Sequence, residues 1–388
     1  LITSDGGPQA HTAILARGLG LPAIVAAKGV TEIADGTIVY VESNEGIVDT
    51  EPTDADREAA IKYANRKPVA DFDGQGVLAD GTRVELYANV GDGKSAEKAA
   101  SLKAEGVGLL RTEFGFLGHD SEPSIETQAK TYKSVFDAFP GKHIVVRTLD
   151  AGADKPLPFL NVNPEENPAL GVRGFRTDWT VPGVLTRQLE AIKAASENSD
   201  ADIWVMAPMI STTSEARNFA NMLKEIGLPV HGVMVETPAA VMNAEAILGE
   251  VDFVSIGTND LTQYTMAADR LLGDLAHLNN PWQPAVLKMI KMTVEGAQRA
   301  SVTAGKKKYV SVCGEAAADP ALAVVLIGLG VDTLSMNAGA IPAVAAVLKS
   351  VTKEKAQQIA AIALQQISSA EAKESARKAL PILDELGL

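Results

Sequence analysis

The sequence predicts an α/β protein built mainly on a closed (β/α)₈ TIM barrel, and three observations indicate this fold. From about residue 71 onward, short apolar runs alternate with stretches of helical spacing. Eight such runs are present, the number of strands that closes this barrel. Seven of them are followed by polar or charged residues, which is typical of strands at a catalytic barrel mouth. A doubly wound open sheet ranks second, because no dinucleotide-binding glycine pattern follows any run.

The eight predicted strands are short and rich in β-branched residues. We place them at residues 83–88, 106–110, 143–146, 203–206, 232–235, 251–256, 309–312 and 331–334. The clearest helix between them spans residues 214–226, where Ser214 is expected to cap the start and Gly227 to mark the end. After Ala340 the chain is alanine-rich and amphipathic, which predicts helices that coat the barrel or form a dimer face.

Composition excludes several classes of protein. The 388 residues carry a net charge of −14, which argues against nucleic-acid binding. Cys313 is the single cysteine, so an internal disulfide is excluded and a cytoplasmic location is expected. No apolar run reaches membrane-spanning length, so we expect no membrane insertion. The chain starts without Met, in what resembles the middle of a strand, and we expect that an N-terminal part is missing.

Two smaller regions are predicted before the barrel. Residues 1–50 form a unit of short strands, residues 51–70 form an exposed linker helix, and the barrel occupies residues 71–388. Within the first unit, His11 follows a glycine-containing loop at the start of a helix. Helix N–H groups favour a bound anion there, and an exposed neutral imidazole is a competent nucleophile. The alternative is that His11 is an inactive loop residue.

The residues that follow the predicted strands indicate an anion-binding mouth. They are Asn89, Arg111, Glu113, Arg147, Glu236, Asn259, Asp260, Cys313, Glu315, Ser335 and Asn337. Arg270 follows later in the chain, and Arg173 lies on an insertion over residues 154–179 that is expected to form a lid. Because guanidinium groups match the oxygens of phosphate and carboxylate, the predicted ligand is small, carries several negative charges and contains phosphate.

Two carboxylates at this mouth are candidate metal ligands. Glu236 and Asp260 end adjacent predicted strands, and Mg²⁺ typically takes one or two protein carboxylates. The alternative for Asn259 and Asp260 is that they cap the following helix. The remaining histidines lack the spacing of a metal site, so we expect loop or core roles for His119, His143, His231 and His277.

Several ordered motifs resemble a known family. They are Gly-Gly-Pro-Gln-Ala-His-Thr-Ala-Ile-Leu-Ala-Arg at residues 6–17, Gly-Val-Gly-Leu-Leu-Arg-Thr-Glu-Phe at 106–114, Val-Arg-Thr-Leu-Asp at 146–150, Glu-Glu-Asn-Pro at 165–168 with Gly-Val-Arg at 171–173, Gly-Val-Met-Val-Glu-Thr-Pro-Ala-Ala at 232–240, Ser-Ile-Gly-Thr-Asn-Asp-Leu-Thr-Gln-Tyr at 255–264 and Cys-Gly-Glu at 313–315. Together they resemble Enzyme I, the phosphoenolpyruvate–protein phosphotransferases of the bacterial sugar phosphotransferase system. The resemblance covers nearly the whole chain.

The resemblance implies a barrel that binds phosphoenolpyruvate and Mg²⁺, joined to a swivelling domain whose histidine passes phosphate to a histidine phosphocarrier protein. It also implies a homodimer formed through the barrel. Carried over by position, His11 is the phosphorylated residue and Cys313 the acid that protonates the pyruvate enolate. Glu236 and Asp260 would bind Mg²⁺, and the substrate would be held by Arg111, Arg147, Arg173, Asn259 and Arg270.

Two departures from the family pattern stand out. Gln9 and Ala10 replace the Thr-Ser pair that usually precedes the histidine, so two hydroxyl groups near the imidazole are lost. We expect that the carrier-docking helical domain and the first part of the swivelling domain are missing from this sequence, so the chain alone is not expected to relay phosphate efficiently. A pyruvate phosphate dikinase or a phosphoenolpyruvate synthase is the nearest alternative. A barrel that serves as a scaffold is disfavoured by the intact charged residues at the mouth.

Overall fold

Eight parallel strands close into a barrel, as the sequence predicts. The computed structural model describes residues 1–5, 16, 23–42, 46–64, 69–152, 157–160, 165–197 and 199–388. Two short strands outside the barrel form an antiparallel pair, β1 (Tyr40–Glu42) and β2 (Ile47–Asp49). The barrel strands are β3 (Glu85–Val90), β4 (Gly106–Arg111), β5 (His143–Arg147), β6 (Asp202–Ala207), β7 (His231–Val235), β8 (Phe253–Gly257), β9 (Tyr309–Cys313) and β10 (Thr333–Met336).

Helices cover the outside of this barrel, because parallel strands require crossover connections. None of the helices in the described ranges is long and apolar enough to cross a bilayer. The α-helices are Asp54–Ala64, Gly93–Ser101, Ile125–Phe136, Val184–Ser196, Thr213–Ile226, Pro238–Met242, Ala244–Glu250, Thr258–Met266, Pro284–Ala304, Glu315–Ala318, Pro320–Gly328, Ile341–Leu348, Lys353–Leu364, Ser369–Lys378 and Ile382–Leu386. Short 3₁₀ turns lie at Val30–Glu32, Thr112–Gly115, Pro168–Leu170, Gly174–Trp179, Gly273–Leu275 and Ala338–Ala340.

The alternation of side chains along each strand divides the core into two layers. One set faces the helices and joins the large outer cluster, for example Val254 and Val312. The other set faces the barrel axis and forms a separate cluster of Leu109, Val145, Met206, Met234, Phe253 and Cys313. The helices after Ala340 pack into the outer cluster, so they coat the barrel as predicted.

Aromatic rings fill the barrel near the amino ends of its strands and form a floor. Trp204 lies at the centre, with ring centroids 4.2 Å from His143, 4.9 Å from Phe253 and 5.8 Å from Tyr309. Tyr87 lies 5.3 Å from His143 on the other side. His143 Nδ1 also approaches Asp202 Oδ2 at 3.2 Å. The barrel is therefore a packed core at this end and not a pore.

The predicted boundaries of β3 and β10 were wrong. β3 starts two residues late because Arg83 pairs with Val77 in an isolated antiparallel bridge. β10 also starts two residues late, because Asp332 accepts a hydrogen bond from the Val310 N–H at 3.0 Å and lies before the strand. Both strands also end two residues later than predicted, at Val90 and Met336, so Asn89 and Ser335 lie inside strands and not after them.

The helix Thr213–Ile226 shows a different capping residue from the one predicted. The hydroxyl oxygen of Thr212 accepts the Glu215 N–H at 3.2 Å, and the Glu215 side chain bonds back to the Thr212 N–H at 2.9 Å. This capping box spans a Thr-x-x-Glu pattern that starts two residues before Ser214, so the prediction for Ser214 was wrong. The predicted end is confirmed, because Gly227 adopts a left-handed conformation with φ of 81°.

Candidate active site

The carboxyl ends of the barrel strands bring most of the predicted residues to one mouth. Arg111 and Arg147 are the last residues of β4 and β5 and stand opposite each other in the sheet register. Cys313 ends β9 and pairs with Gly257 of β8 on one side. Glu236 directly follows β7, and Asp260 lies in the first turn of the helix after β8. The mouth thus combines cationic, acidic and thiol groups.

Arg147 is held between two carboxylates. The residue is 6% exposed, and its guanidinium donates a hydrogen bond to Glu113 and lies 3.2 Å from an Asp150 oxygen. Burial lowers the pKa of Arg147, but Glu113 and Asp150 outweigh this effect, so the pKa lies above its usual value. An unpaired buried guanidinium would be costly, and the two carboxylates fix both its charge and its orientation.

Arg173 reaches the same mouth from the insertion after β5. It is 2% exposed, with Nη1 2.9 Å from Asp260 Oδ1 and Nη2 3.3 Å from Asp150 Oδ1. Asp150 therefore bridges Arg147 and Arg173. The insertion is itself anchored, because the Tyr264 hydroxyl donates to the carbonyl of Ala169. This contact places the described part of the predicted lid against the mouth.

Asp260 and Glu236 form the acidic side of the mouth. Asp260 accepts from Arg270 at 3.1 Å through its second oxygen. Glu236 is 1% exposed and accepts the Met209 N–H at 2.6 Å. Met209 aims this N–H from a left-handed conformation, with φ of 59°, which is unfavourable for a residue with a side chain. Burial, reinforced by Asp260 and Asp150, raises the pKa of Glu236 to about 8 despite Arg173 and Arg147.

The donor set of this acidic side suits a hard divalent cation. Glu236 and Asp260 offer buried carboxylate oxygens, and a bound cation would offset the burial that raises the pKa of Glu236. Gly257 leaves the room that the Glu236 carboxylate needs, since a Cβ there would lie 2.7 Å from Oε2. No group of three or more His, Cys, Asp or Glu residues in the described ranges could hold a metal. A cation would therefore complete its shell with substrate or water oxygens, as Mg²⁺ commonly does.

Cys313 faces the barrel axis just below the mouth. The side chain is 4% exposed, and Sγ lies 3.7 Å from the carbonyl oxygen of Ile256, to which it can donate. Burial raises the pKa of the thiol, and Glu236 adds to this effect, whereas Arg147 and Arg111 oppose it. A thiol with a raised pKa is protonated at neutral pH and can serve as a proton donor.

Arg111 and Asn259 are polar groups of the mouth that remain partly accessible. Both are half-buried, Arg111 at the end of β4 and Asn259 in the helix Thr258–Met266. Among the described residues, no carboxylate forms an ion pair with Arg111, in contrast to Arg147, Arg173 and Arg270. A cation of this kind is available to an incoming anion. Asn89, by comparison, is engaged by the Ser335 hydroxyl at 2.5 Å.

Sequence reasoning gave no role to three residues that shape the mouth. Asp150 links two arginines, Tyr264 anchors the insertion and Met209 binds Glu236 through its backbone. A carboxylate three residues after a strand-end arginine was the available signal for Asp150, whereas Met209 left none because it acts through its main chain. His11 lies outside the described residues.

Two models of known protein families match the chain. Residues 69–353 match the PEP-binding domain of PEP-utilising enzymes, and residues 1–46 match the mobile domain of PEP-utilising enzymes. The first match includes every strand of the barrel and every residue of the mouth described above.

Several curated proteins are similar in sequence to this chain along nearly its whole length. A phosphoenolpyruvate-protein phosphotransferase of Streptomyces coelicolor is 45% identical over 383 residues, which cover 98% of this chain and 68% of that protein. One from Haloferax volcanii is 39% identical over 388 residues, covering 96% and 67%. A multiphosphoryl transfer protein of Xanthomonas campestris pv. campestris is 40% identical over 379 residues, covering 94% and 44%. The chain spans about two thirds of the length of the first two relatives, and it belongs to the phosphoenolpyruvate-protein phosphotransferase family.

Proposed function

We propose that this protein transfers the phosphoryl group of phosphoenolpyruvate to its own His11 and then to a histidine phosphocarrier protein, releasing pyruvate as the first step of the sugar phosphotransferase system. The observation that carries the proposal is the buried mouth where Arg147, Arg173 and Arg270 surround the carboxylates of Asp260 and Asp150. The names of the relatives agree with it. They are not names of dikinases, so the dikinase alternative is set aside.

The arginines account for substrate binding in this proposal. Phosphoenolpyruvate carries a phosphate and a carboxylate, and guanidinium groups match both with paired N–H donors. Arg111, whose guanidinium is accessible, would meet the substrate first, and Asn259 would add an amide donor. Arg147, Arg173 and Arg270 would complete the site, held in place by their carboxylates.

Glu236 and Asp260 would hold Mg²⁺ at the acidic side of the mouth. When bound, the cation would neutralise charge on the phosphoryl oxygens. Arg173 and Arg270 already contact both oxygens of Asp260, so they would lie next to the same phosphoryl group. The chain's own contribution is to orient these cations in a site of low exposure, where electrostatic interactions are strong.

Cys313 would supply the proton that completes pyruvate. Transfer breaks the P–O bond, forms a P–N bond at His11 and leaves the enolate of pyruvate. The thiol of Cys313 would protonate the methylene carbon of the enolate, and the thiolate would regain a proton from water. Arg147 and Arg111 both favour the charged form of Cys313, so they would stabilise the transient thiolate.

The remaining features of the proposal concern architecture and partners. We retain 1–50 as the C-terminal part of the phosphohistidine domain, 51–70 as the linker and 71–388 as the substrate-binding and dimerisation domain. Onward transfer to a carrier is in line with the name of the Xanthomonas relative. A homodimer through the barrel and a cytoplasmic location are further parts of the proposal. Exposed Phe114, Leu170 and Trp179 offer apolar surface at the mouth side for such contacts.

Transfer to His11 can be tested with labelled phosphoenolpyruvate and Mg²⁺. In the full-length protein, we expect acid-labile label on His11 and none on the His11→Ala variant. Because His11 is proposed only as the acceptor, that variant should still be stabilised against heat by phosphoenolpyruvate with Mg²⁺, as selective binding to the folded state requires. Equal labelling of the variant would move the acceptor to another histidine. Absence of both labelling and stabilisation in the parent would refute the proposed function.

The space at Gly257 gives a test of the Mg²⁺ site. A Cβ at residue 257 would lie 2.7 Å from Glu236 Oε2, so Gly257→Ala should displace this carboxylate. The variant should then need about 10-fold more Mg²⁺ and phosphoenolpyruvate than the parent for the same rise in Tm. Gly249→Ala is the matched control, because a Cβ there meets nothing within 4 Å and alanine favours its helix. Equal ligand response in both variants would argue against Glu236 as a ligand.

A further inference from the structure

A buried chain of polar side chains lies behind the ends of β4 and β5, on the helix side of the mouth. Its members are Thr112, Gln128, Tyr132 and Gln188, and each is at most 3% exposed. Gln188 comes from the helix Val184–Ser196, and Gln128 and Tyr132 come from the helix Ile125–Phe136. We call this set the Gln188 network. Most buried polar groups in proteins are hydrogen-bonded, and the bonds of this network connect the mouth to two helices of the barrel coat.

One half of the network holds the strand ends. The Gln188 amide nitrogen donates to the Thr112 hydroxyl at 3.0 Å, and that hydroxyl donates to the carbonyl of Arg147 at 2.9 Å. The Gln188 amide oxygen accepts the Leu149 N–H at 2.8 Å. Because a main-chain N–H can only donate, this last bond fixes which end of the amide faces Leu149. Gln188 thus ties the side chain of Thr112, which follows β4, to the main chain at the end of β5.

The other half of the network leads away from the mouth. The Gln188 amide nitrogen donates its second proton to the Tyr132 hydroxyl at 3.0 Å, which donates to Gln128 at 3.1 Å. Gln128 in turn donates to the carbonyl of Pro123 at 2.9 Å. This half joins two coat helices and a loop, and its bonds do not include the strand ends. The two halves can therefore be broken separately.

The residues held by the first half are neighbours of the anion-binding groups. Thr112 follows Arg111 in the chain, its hydroxyl binds the main chain of Arg147, and Leu149 precedes Asp150. Resting on the proposed function, we infer that Gln188, acting through Thr112, is a positioning residue that sets the spacing of Arg111 and Arg147 for phosphoenolpyruvate. Gln188 does not touch the ligand in this arrangement, since it lies behind the strands.

The expected effect follows from how strictly a binding site depends on geometry. A misplacement of about 1 Å can cost on the order of 10²-fold in function when several groups must act together. Removal of the Gln188 amide leaves the Leu149 N–H without its acceptor and the Thr112 hydroxyl without its donor, so the ends of β4 and β5 are no longer tied to the helix Val184–Ser196. The affinity for the substrate should therefore fall by more than the loss of folding stability explains.

The test compares variants that break the two halves of the network. Gln188→Met keeps the length of the side chain and removes both strand-end bonds, and Thr112→Val keeps the shape of threonine and removes its hydroxyl. Each should raise the Kd for phosphoenolpyruvate with Mg²⁺ about 10-fold or more, measured by calorimetry well below the Tm. Tyr132→Phe breaks only the outer half, so it should lower the Tm by a similar amount and change Kd by less than about 2-fold. Thr112→Ser keeps the hydroxyl and should restore the parent Kd.

The outcomes separate this inference from the proposed function. If the parent does not bind phosphoenolpyruvate, the proposed function fails and this inference fails with it. The parent could instead bind phosphoenolpyruvate while the rise in Kd is proportional to the fall in Tm across all four variants. In that case the network serves packing alone, and only the inference is overturned. If Gln188→Met does not fold, the pair Thr112→Val and Thr112→Ser decides, since a shared Kd in that pair also overturns the inference.

Discussion

Replacement of Asp260 by Asn is expected to cut turnover on the order of 10²-fold or more and to weaken the dependence of the reaction on Mg²⁺. Asparagine has nearly the same shape, so the change removes charge more than volume. In the structure, Asp260 accepts from Arg173 at 2.9 Å and from Arg270 at 3.1 Å. The substitution would therefore remove a proposed ligand and the counter-charge of two arginines at the same time.

Turnover measured against Mg²⁺ concentration is the decisive experiment for Asp260. The exposed Asp274 on the loop after the same helix gives a matched control, since Asp274→Asn removes an equal charge outside the mouth. Parent and Asp274→Asn should have the same titration midpoint, and Asp260→Asn should need more Mg²⁺. A titration curve for Asp260→Asn that overlays that of the parent would exclude Asp260 as a ligand.

Cys313→Ala is expected to lower steady-state pyruvate formation by about 10²- to 10⁴-fold, the usual contribution of a general acid. The fold and substrate binding should persist, because the thiol is small and its hydrogen bond to the Ile256 carbonyl is long at 3.7 Å. Its raised pKa keeps the proton available at neutral pH. Pyruvate release by the variant at saturating substrate measures this role directly.

Two controls separate proton donation by Cys313 from packing. Val312→Ala shortens the preceding side chain, which faces the outer core, so it should lower stability without slowing pyruvate release. Alkylation of Cys313 should be slower than that of free cysteine at neutral pH and speed up as pH rises through the raised pKa, because only the thiolate reacts. Bound substrate should slow it further. Pyruvate release by Cys313→Ala near the parent rate would reduce Cys313 to a packing role.

The fold was predictable because parallel strands are buried on both faces and appear as nearly continuous apolar runs. Val251 to Ile256 is such a run, and it corresponds to β8 within two residues. The boundary errors at β3 and β10 have a different origin. Arg83 and Asp332 sit beside apolar residues in the sequence, but a local bridge and a side-chain bond to Val310 keep them out of the ladder.

The sequence predicted which residues line the mouth, but it did not predict which of them form ion pairs with one another. Strand-end position alone brought Arg147, Glu236 and Cys313 to one face, because all strands of a barrel end on the same side. The contacts of Arg147 with Glu113 and of Arg173 with Asp260 join residues far apart in sequence. No local sequence pattern predicts which carboxylate forms an ion pair with which arginine, because the pairing depends on side-chain directions that are set by the closed barrel.

The aromatic floor around Trp204 has a consequence for how the barrel tolerates change. Rings spaced 4.2 to 5.8 Å apart fill the amino end, while the charged groups occupy the opposite end of the same strands. The packed aromatic residues thus lie at the amino ends of the strands, and the charged residues of the mouth lie at the carboxyl ends. Substitutions at Trp204 or Phe253 would therefore act through the packing of the barrel interior, which these rings share with Cys313, and not through direct contact with the charged groups.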